Sequence, residues 1–312
     1  MKPRIIAVAG HTASGKTGLA ISLAERLGGE IVCCDSMQIY RLMNIGTAKP
    51  TPEELARVPH HVVDFVDPMR EYSCAEYAVD AARAVEDIIS RGKLPVICGG
   101  TGLYLDSLLF ERPFDECGGK SEIRERLNSE AEAEGGAHAL YLRLCEVDPE
   151  SAARIHENNV RRVIRALEIY ETTGKRKSEL DALESPAKYD FRAFELRWTD
   201  RAERYARIEQ RCREMIDAGL LDETRMLLEM GIFEKNPTAA QAIGYKEMLG
   251  CVRGEVALDD ALERLCIATR QYAKRQVTWF GAKKYIETVE VTSASADLTD
   301  RICAEVLDWL GE

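Results

Sequence analysis

The chain has 312 residues, of which 46% are apolar and 30% charged, and its formal net charge is −11. This composition is ordinary for a globular protein of one large domain or two smaller ones. No apolar run approaches the roughly 18 to 20 residues of a membrane span, and the N-terminus enters a strand pattern directly. Both observations predict a cytoplasmic protein without a membrane partner. Ten cysteines occur without any C-x-x-C pair, which favours reduced thiols over disulfides or a zinc site.

The first third of the chain alternates apolar runs with helical patterns. Residues 4–9 read as a buried parallel strand, and a helix is predicted over 17–27, ending at Gly28. Further strands are predicted at 30–34 and from 94 into a glycine turn that ends at 102. Amphipathic and apolar patterns predict helices from 74 to Gly92 and over 103–110.

The loop after the first strand reads GHTASGKT and matches G-x-x-x-x-G-K-[ST] at Gly10, Gly15, Lys16 and Thr17. In this motif, backbone N–H groups and a helix N-terminus turn toward a phosphate, Lys16 supplies a positive charge and the Thr17 hydroxyl binds Mg²⁺. The motif specifies a diphosphate or triphosphate with magnesium, and it does not by itself select ATP.

The alternation of strands and helices predicts an α/β fold with a P-loop NTPase-like parallel sheet covered by helices on both faces. Residues 1–112 form the predicted core. Residues 113–190 are charged and helical, and they are predicted to be an insertion. Residues 191–312 are predicted to return with a strand at 191–198 and a helical C-terminal part that completes the core. The site is expected at the carboxyl edge of the sheet.

Two polar residues follow predicted strands at that edge. Asp35 is either an N-cap for the next segment or a base beside a bound diphosphate. Thr101, in CGGTGLY, either belongs to a tight turn or offers its hydroxyl to a ligand.

Basic residues form local clusters despite the acidic total. Arg207 and Arg211 lie four residues apart on one helical face, where an anion would offset their repulsion and where the alternative is a solvated face. Residues 264–286 carry six basic residues and no acidic one, interleaved with aromatics, a pattern that suits RNA although such aromatics also occur in cores. A second cluster contains Arg154, Arg161, Arg162, Arg165 and the run GKRK at 174–177.

Together these motifs resemble the bacterial type of the tRNA dimethylallyltransferases, also called tRNA isopentenyltransferases. The matching stretches follow one another from residue 10 to 280: GHTASGKT, DSMQIYRLMNIGTAKPTPEE, VPHHVVDFVDP, YSCAEY, GGTGLY, DPESAARIHENNVRRVIRALEIYETTGK, RIEQRCREMIDAGLLDE, AIGYKE and ATRQYAKRQVTWF.

The resemblance implies transfer of the dimethylallyl group from dimethylallyl diphosphate to N6 of adenosine 37. This base lies next to the anticodon of tRNAs that read codons starting with U. The product would be N6-dimethylallyladenosine, with diphosphate released. It also implies Mg²⁺ as cofactor, the tRNA anticodon stem-loop as partner, a monomer, and contact of the insertion with tRNA.

The resemblance also implies roles for individual residues. Asp35 would be the general base, acting with Lys16, Thr17 and Arg211, and Thr17 would bind Mg²⁺. The diphosphate would be held by Gly10, Thr12, Ala13, Ser14, Gly15, Lys16, Thr17, Arg207 and Arg211. The tRNA would contact Asp35, Ser36, Met37, Gln38, Thr101, Arg124, Arg161, Arg162, Arg165, Gln241, Gly244, Tyr245, Lys246, Arg270, Lys274 and Arg275.

This chain departs from the family pattern in two places. His11 stands where proline is common, and the C-terminal tail lacks the zinc finger of eukaryotic relatives. The alternatives are a P-loop small-molecule kinase, which the loop alone favours, a prenyltransferase acting on free adenosine phosphates, and an RNA-binding protein without catalysis.

Overall fold

The computed structural model describes residues 2–111, 122–183, 185–292 and 297–311. The strands are β1 (Arg4–Gly10), β2 (Gly29–Cys33), β3 (His60–His61), β4 (Leu94–Gly99), β5 (Asp190–Trp198) and β6 (Glu287–Val291). The helices are α1 (Lys16–Leu27), α2 (Pro52–Arg57), α3 (Cys74–Ser90), α4 (Gly102–Leu109), α5 (Glu122–Glu132), α6 (Gly136–Val147), α7 (Pro149–Arg154), α8 (Val160–Thr173), α9 (Lys177–Asp181), α10 (Arg201–Asp217), α11 (Leu220–Glu229), α12 (Ile232–Lys235), α13 (Pro237–Ala240), α14 (Tyr245–Val252), α15 (Leu258–Gly281) and α16 (Leu298–Leu310).

All strands of the described chain join one parallel sheet in the order β3-β2-β4-β1-β5-β6. Helices α1 and α16 contribute apolar side chains to a core on one face of the sheet, and α3 contacts β2 and β4. Nearly every residue of β1, β2 and β4 is buried, as expected for parallel strands covered on both faces. The predicted α/β fold is confirmed.

The boundaries of the predicted strands hold to within a few residues. The return strand was expected at 191–198 and spans Asp190–Trp198. Strand β2 ends at Cys33, so Asp35 lies two residues beyond its end. Strand β3, which pairs with β2, was not predicted because two adjacent histidines give no apolar run.

The chain divides into two compact units. The first combines Met1–Leu109 with Lys188–Glu312 and contains the sheet, and the second is Phe110–Ala187. Among the described residues, no helix combines the length and apolar character needed to cross a bilayer.

The second unit has its own core. Leu127, Leu144 and Leu167 lie fully buried among α5, α6 and α8. The Asp148 carboxylate is also buried, accepts from Ser151 N–H at 3.0 Å at the start of α7 and accepts from the Ser178 N–H and hydroxyl of α9. Hydrogen bonds to this carboxylate lower the pKa of Asp148 to about 2 despite its burial.

Candidate active site

Trp198, at the end of β5, forms two hydrogen bonds with the loop between β1 and α1. The Trp198 N–H donates to His11 Nε2 at 3.3 Å, and its indole N–H donates to the carbonyl of Ser14 at 3.3 Å. Ala13 and Gly15 have positive φ angles of 60° and 91°, which turn the backbone toward the N-terminus of α1. Both positive φ angles thus lie within the loop that the sequence predicts to hold a phosphate.

Lys16 and Arg211 bring positive charge to this loop from two different helices. Burial lowers the pKa of Lys16, Arg211 adds to the lowering, and Cys98 and Asp35 oppose it. Burial likewise lowers the pKa of Arg211, with Asp35 opposing. Two desolvated cations beside one loop favour an anionic ligand, because such a ligand would offset both their repulsion and their lost hydration.

A cavity of about 1180 Å³ opens at this point. Its wall contains residues 13–18 of the loop, part of the segment 44–55, and the α10 side chains Arg207 and Arg211. Arg207 also donates to the carbonyl of Ala13 at 3.2 Å, and its guanidinium carbon lies 4.6 Å from the centroid of the Trp198 ring. The structure thus brings the predicted diphosphate residues Ala13 to Thr17, Arg207 and Arg211 together around one space large enough for a prenyl diphosphate.

The two carboxylate oxygens of Asp35 have different surroundings. Its Oδ1 accepts hydrogen bonds from Met37 N–H at 2.9 Å and Gln38 N–H at 3.4 Å, so Asp35 does cap the turn that follows. Within the described residues, no hydrogen bond to Oδ2 is found. Both interpretations of Asp35 are compatible, because the turn uses one carboxylate oxygen and fixes the direction of the other.

Thr101 supports the same turn from the neighbouring strand β4. Its hydroxyl accepts from Ser36 N–H at 3.0 Å, and Cys34 O accepts from Thr101 N–H at 3.2 Å. The close approach of the two strand ends requires Gly99, since an added Cβ there would lie 1.9 Å from Cys34 O. Thr101 is therefore beside the Asp35 turn, as the predicted site requires.

Tyr272 of α15 extends this group, and sequence reasoning did not single it out. Burial raises the pKa of Tyr272, the Asp35 charge raises it further, and the Thr101 hydroxyl lies within hydrogen-bonding reach. Only its place in the stretch ATRQYAKRQVTWF pointed to it.

Gln38 was predicted as a tRNA contact, and its side chain is used inside the protein. Its Nε2 donates to the carbonyls of Thr47 and Ala48 at 3.1 and 2.9 Å. Gln38 thereby holds the 47–48 segment against the turn that begins at Asp35.

The 44–46 turn is held by Glu223, a buried carboxylate that sequence reasoning missed. It accepts from the N–H groups of Asn44, Ile45 and Gly46 at 2.9 to 3.1 Å, and from the Tyr245 hydroxyl at 2.7 Å. Tyr245 is fully buried. Its contact with tRNA stays a prediction, made for a residue whose side chain packs in the core of this structure.

The other predicted tRNA residues fall in both units. In the first, Lys246, Lys274 and Arg275 are exposed. Arg270 forms an ion pair with Glu209 at 3.4 Å. Gly244 lies so close to Gly46 that an added Cβ would be 3.2 Å from its backbone. Gln241 is exposed, and Met37 is partly buried. In the second unit, Arg161 and Arg162 are exposed, whereas Arg124 and Arg165 pair with the buried Glu168 at 2.6 and 2.8 Å.

Comparisons with known proteins agree with this geometry. Residues 38–283 match the family model described as IPP transferase, and residues 3–71 match isopentenyl transferase. The chain is 44% identical over 290 residues to a tRNA dimethylallyltransferase of Caldanaerobacter subterraneus subsp. tengcongensis, covering 92% of this chain and 91% of that one. It is 45% identical over 293 residues to one of Geobacillus thermodenitrificans, covering 94% and 92%.

Solved structures give the same result. The full-length tRNA isopentenylpyrophosphate transferase of Bacillus halodurans has a TM-score of 0.72 and 38% identity, covering 99% of this chain and 96% of that one. A eukaryotic dimethylallyltransferase acting on tRNA has a TM-score of 0.86 and 33% identity, covering 99% and 80%. The resemblance inferred from the motifs is confirmed, and the chain belongs to the IPP transferase family.

Proposed function

We propose that this chain is a tRNA dimethylallyltransferase, which moves the dimethylallyl group from dimethylallyl diphosphate to N6 of adenosine 37 in tRNA. The observation that carries the proposal is the convergence of Lys16, Arg211 and Asp35 at one edge of the sheet. The names of the relatives support a transferase acting on tRNA and give no support to a small-molecule kinase.

The chemistry follows from the charges around the loop of residues 10–17, called the donor loop below. As the bond between N6 and the allylic carbon forms, the bond between that carbon and the diphosphate oxygen breaks. The diphosphate leaves with its bonding electrons, and Lys16, Arg207 and Arg211 stabilise the negative charge that develops there. The N6 proton passes to Asp35, whose Oδ2 is directed by the two hydrogen bonds at Oδ1.

Mg²⁺ fits this site as an ion that binds together with the donor. Magnesium keeps several waters and takes one or two protein ligands plus substrate phosphates. Thr17 lines the cavity in the first turn of α1, and its hydroxyl lies within reach of Cys98. In the described part of the chain, no cluster of three or more His, Cys, Asp or Glu side chains offers a separate metal site. Thr17 would hold the ion, which when bound neutralises charge on the departing diphosphate.

The acceptor is proposed to be the anticodon stem-loop of tRNA, with adenosine 37 turned out of its stack to reach N6. Lys246, Lys274 and Arg275 are exposed cations of the first unit, and Arg161 and Arg162 are exposed cations of the second. These residues suit the phosphate backbone of RNA. Acting on tRNA as a monomer, the enzyme would work in the cytoplasm, where its substrate is.

The test is incubation of radiolabelled dimethylallyl diphosphate and Mg²⁺ with unmodified tRNA whose anticodon reads a codon starting with U. We expect label in that RNA, none in the same RNA with guanosine at position 37, and labelling at least about a hundredfold slower with the Asp35→Asn variant. A parallel reaction with γ-labelled ATP should leave tRNA and small molecules unlabelled. Absence of prenyl label in RNA that a known enzyme can modify would overturn the proposal.

A further inference from the structure

We propose that Gln276 is a positioning residue that links the donor loop to helix α15, so that binding of tRNA and binding of the prenyl donor strengthen each other. The inference rests on the proposed function, since it concerns the two substrates of that reaction. It assigns a role to a residue whose side-chain amide bonds within the protein at both ends.

Gln276 uses both ends of its side-chain amide inside the protein. Its Oε1 accepts from Thr12 N–H at 2.9 Å, and its Nε2 donates to Gly100 O at 2.9 Å. The residue is 5% exposed. A buried amide satisfied at both ends has one favourable orientation, and replacing it leaves a buried N–H or C=O group unpaired. Gln276 therefore fixes the donor loop and the glycine turn after β4 relative to each other.

This bond also decides which loop N–H groups face the phosphate. Thr12 N–H points to Gln276 and Ser14 N–H points to His11 O at 3.2 Å, so neither is directed at a ligand. The remaining N–H groups of the loop and the first turn of α1 form the cradle. Displacement of Gln276 would release Thr12 and allow the loop to change shape.

The same face of α15 contacts the acceptor side of the site. Tyr272 lies one turn before Gln276, within hydrogen-bonding reach of Thr101, and Thr101 accepts from the N–H of Ser36, next to Asp35. Lys274 and Arg275 on the same helix are exposed to solvent. Because α15 is one continuous helix from Leu258 to Gly281, an anion that holds its exposed face in place also holds Tyr272 and Gln276 in place.

The experiment measures the dissociation constant of the donor analogue dimethylallyl thiodiphosphate with Mg²⁺, by calorimetry, in the absence and presence of saturating unmodified tRNA. For the wild-type protein we expect tRNA to lower this constant about five- to twentyfold, a common range for coupled sites. In Gln276→Met, which keeps side-chain volume but neither hydrogen bond, we expect the ratio to fall to within twofold of one. The constant without tRNA should also rise about tenfold.

Two further variants separate positioning from general damage. Gln271→Met makes the same change at an exposed position of α15 and should retain the wild-type ratio. Gln276→Glu keeps an oxygen that accepts from Thr12 N–H. Its second carboxylate oxygen replaces the NH₂ group that donates to Gly100 O, so that hydrogen bond is lost and two oxygens face each other. Its added charge weakens donor binding with and without tRNA alike, so this effect cancels in the ratio, which should still fall. If Gln276→Met does not fold, the ratio of donor dissociation constants without and with tRNA in Gln276→Glu serves as the test.

The outcomes distinguish this inference from the proposed function. If the wild-type protein binds neither the donor analogue nor tRNA, the proposed function fails. If it binds both and the ratio is one, or if the ratio survives in a folded Gln276 variant, the coupling role is overturned while the proposed function stands. A stability defect alone would change the melting temperature without changing the ratio.

Discussion

His11 and Trp198 are joined edge to backbone, with the Trp198 N–H donating to His11 Nε2 at 3.3 Å and the opposite ring nitrogen, Nδ1, 2.7 Å from the carbonyl of Thr12. These partners select the neutral imidazole, because Nδ1 must donate to a carbonyl while Nε2 accepts from an N–H group. The ring is fully buried, and burial lowers the pKa of His11 to about 4. A neutral histidine is thus part of the donor loop.

Stability should therefore depend on pH in the range where an ordinary histidine titrates. Between about pH 6.5 and pH 4 the unfolded chain binds a proton at His11 that the folded chain does not, so the free energy of unfolding rises with pH in this window. The contribution is at most about 3 kcal/mol and is complete above pH 6.5. Urea unfolding between pH 4.5 and 7.5 measures it.

Replacing His11 isolates its share of that pH dependence. His11→Gln should flatten the rise of the free energy of unfolding with pH. At pH 7.5, where His11 is neutral in the folded and the unfolded chain, the difference in this free energy between the wild type and His11→Gln reports only the loss of packing and hydrogen bonds. An unchanged slope in His11→Gln would show that the neutral buried imidazole is not responsible. His60, whose pKa burial also lowers, should account for part of the remaining slope.

Two substitutions at Asp35 separate its two carboxylate oxygens. Asp35→Asn keeps an oxygen for the N–H groups of Met37 and Gln38 but removes the base, so kcat should fall about 10²- to 10⁴-fold. Donor affinity should stay within threefold and the melting temperature should hardly change. Asp35→Ala should show the same loss of kcat with an additional destabilisation of about 1 kcal/mol. Equal melting temperatures for the two variants would refute the capping role.

Lys16 should act mainly in donor binding. Lys16→Met keeps the aliphatic part of the side chain and removes the charge, so the dissociation constant of inorganic diphosphate with Mg²⁺ should rise about 10- to 100-fold. Calorimetry gives this value directly. The role assignment of Lys16 and Asp35 would be reversed if Lys16→Met bound diphosphate normally while Asp35→Asn did not.

Replacement of the Glu223 carboxylate should lower the free energy of unfolding more than replacement of an exposed carboxylate. Glu223→Gln places an amide NH₂ against backbone N–H groups of 44–46 and should lower the free energy of unfolding by about 3 kcal/mol. Tyr245→Phe removes one of the hydrogen bonds and should cost about 1 kcal/mol. Glu229→Gln, at an exposed position of the same helix, should stay within about 0.5 kcal/mol.

Two of these variants, Glu223→Gln and Glu229→Gln, also report on the cavity. Asn44 and Ile45 line it, so Glu223→Gln should raise the dissociation constant of the donor, whereas Glu229→Gln should not. A destabilised Glu223→Gln variant with unchanged donor affinity would show that the 44–46 turn does not shape the donor site.

The sheet and the donor loop could be predicted from the sequence because their signals are local. Buried parallel strands are continuous apolar runs, and the loop motif has a fixed spacing next to one of them. Asp35 and Thr101 were found because each follows such a run. The spacing of Arg207 and Arg211 on one helical face left a solvated face as the alternative, and the family motifs favoured the diphosphate for Arg211, which lies on α10 and not at any strand end.

The supports of the site could not be predicted in this way because their partners are distant in sequence. Gln276 bonds to Thr12, Trp198 to His11, and Glu223 to the 44–46 turn. Nothing in the residues around Glu223 distinguishes it from a solvated glutamate. Tyr245 shows the opposite case, since a motif associated with tRNA also contains a residue whose side chain packs in the core.

The late position of β5 in the chain affects how the protein folds during its synthesis. It pairs with β1 from Arg4 to Gly10, yet it is synthesised only after the whole second unit. While the ribosome makes residues 110–187, β1 has no partner on that side, and the donor loop lacks Trp198. An apolar strand with an open edge is prone to pair with other chains. The nascent chain should therefore depend most on chaperones during this interval, and we do not expect the proposed prenyl diphosphate donor to stabilise it before residue 198 has emerged.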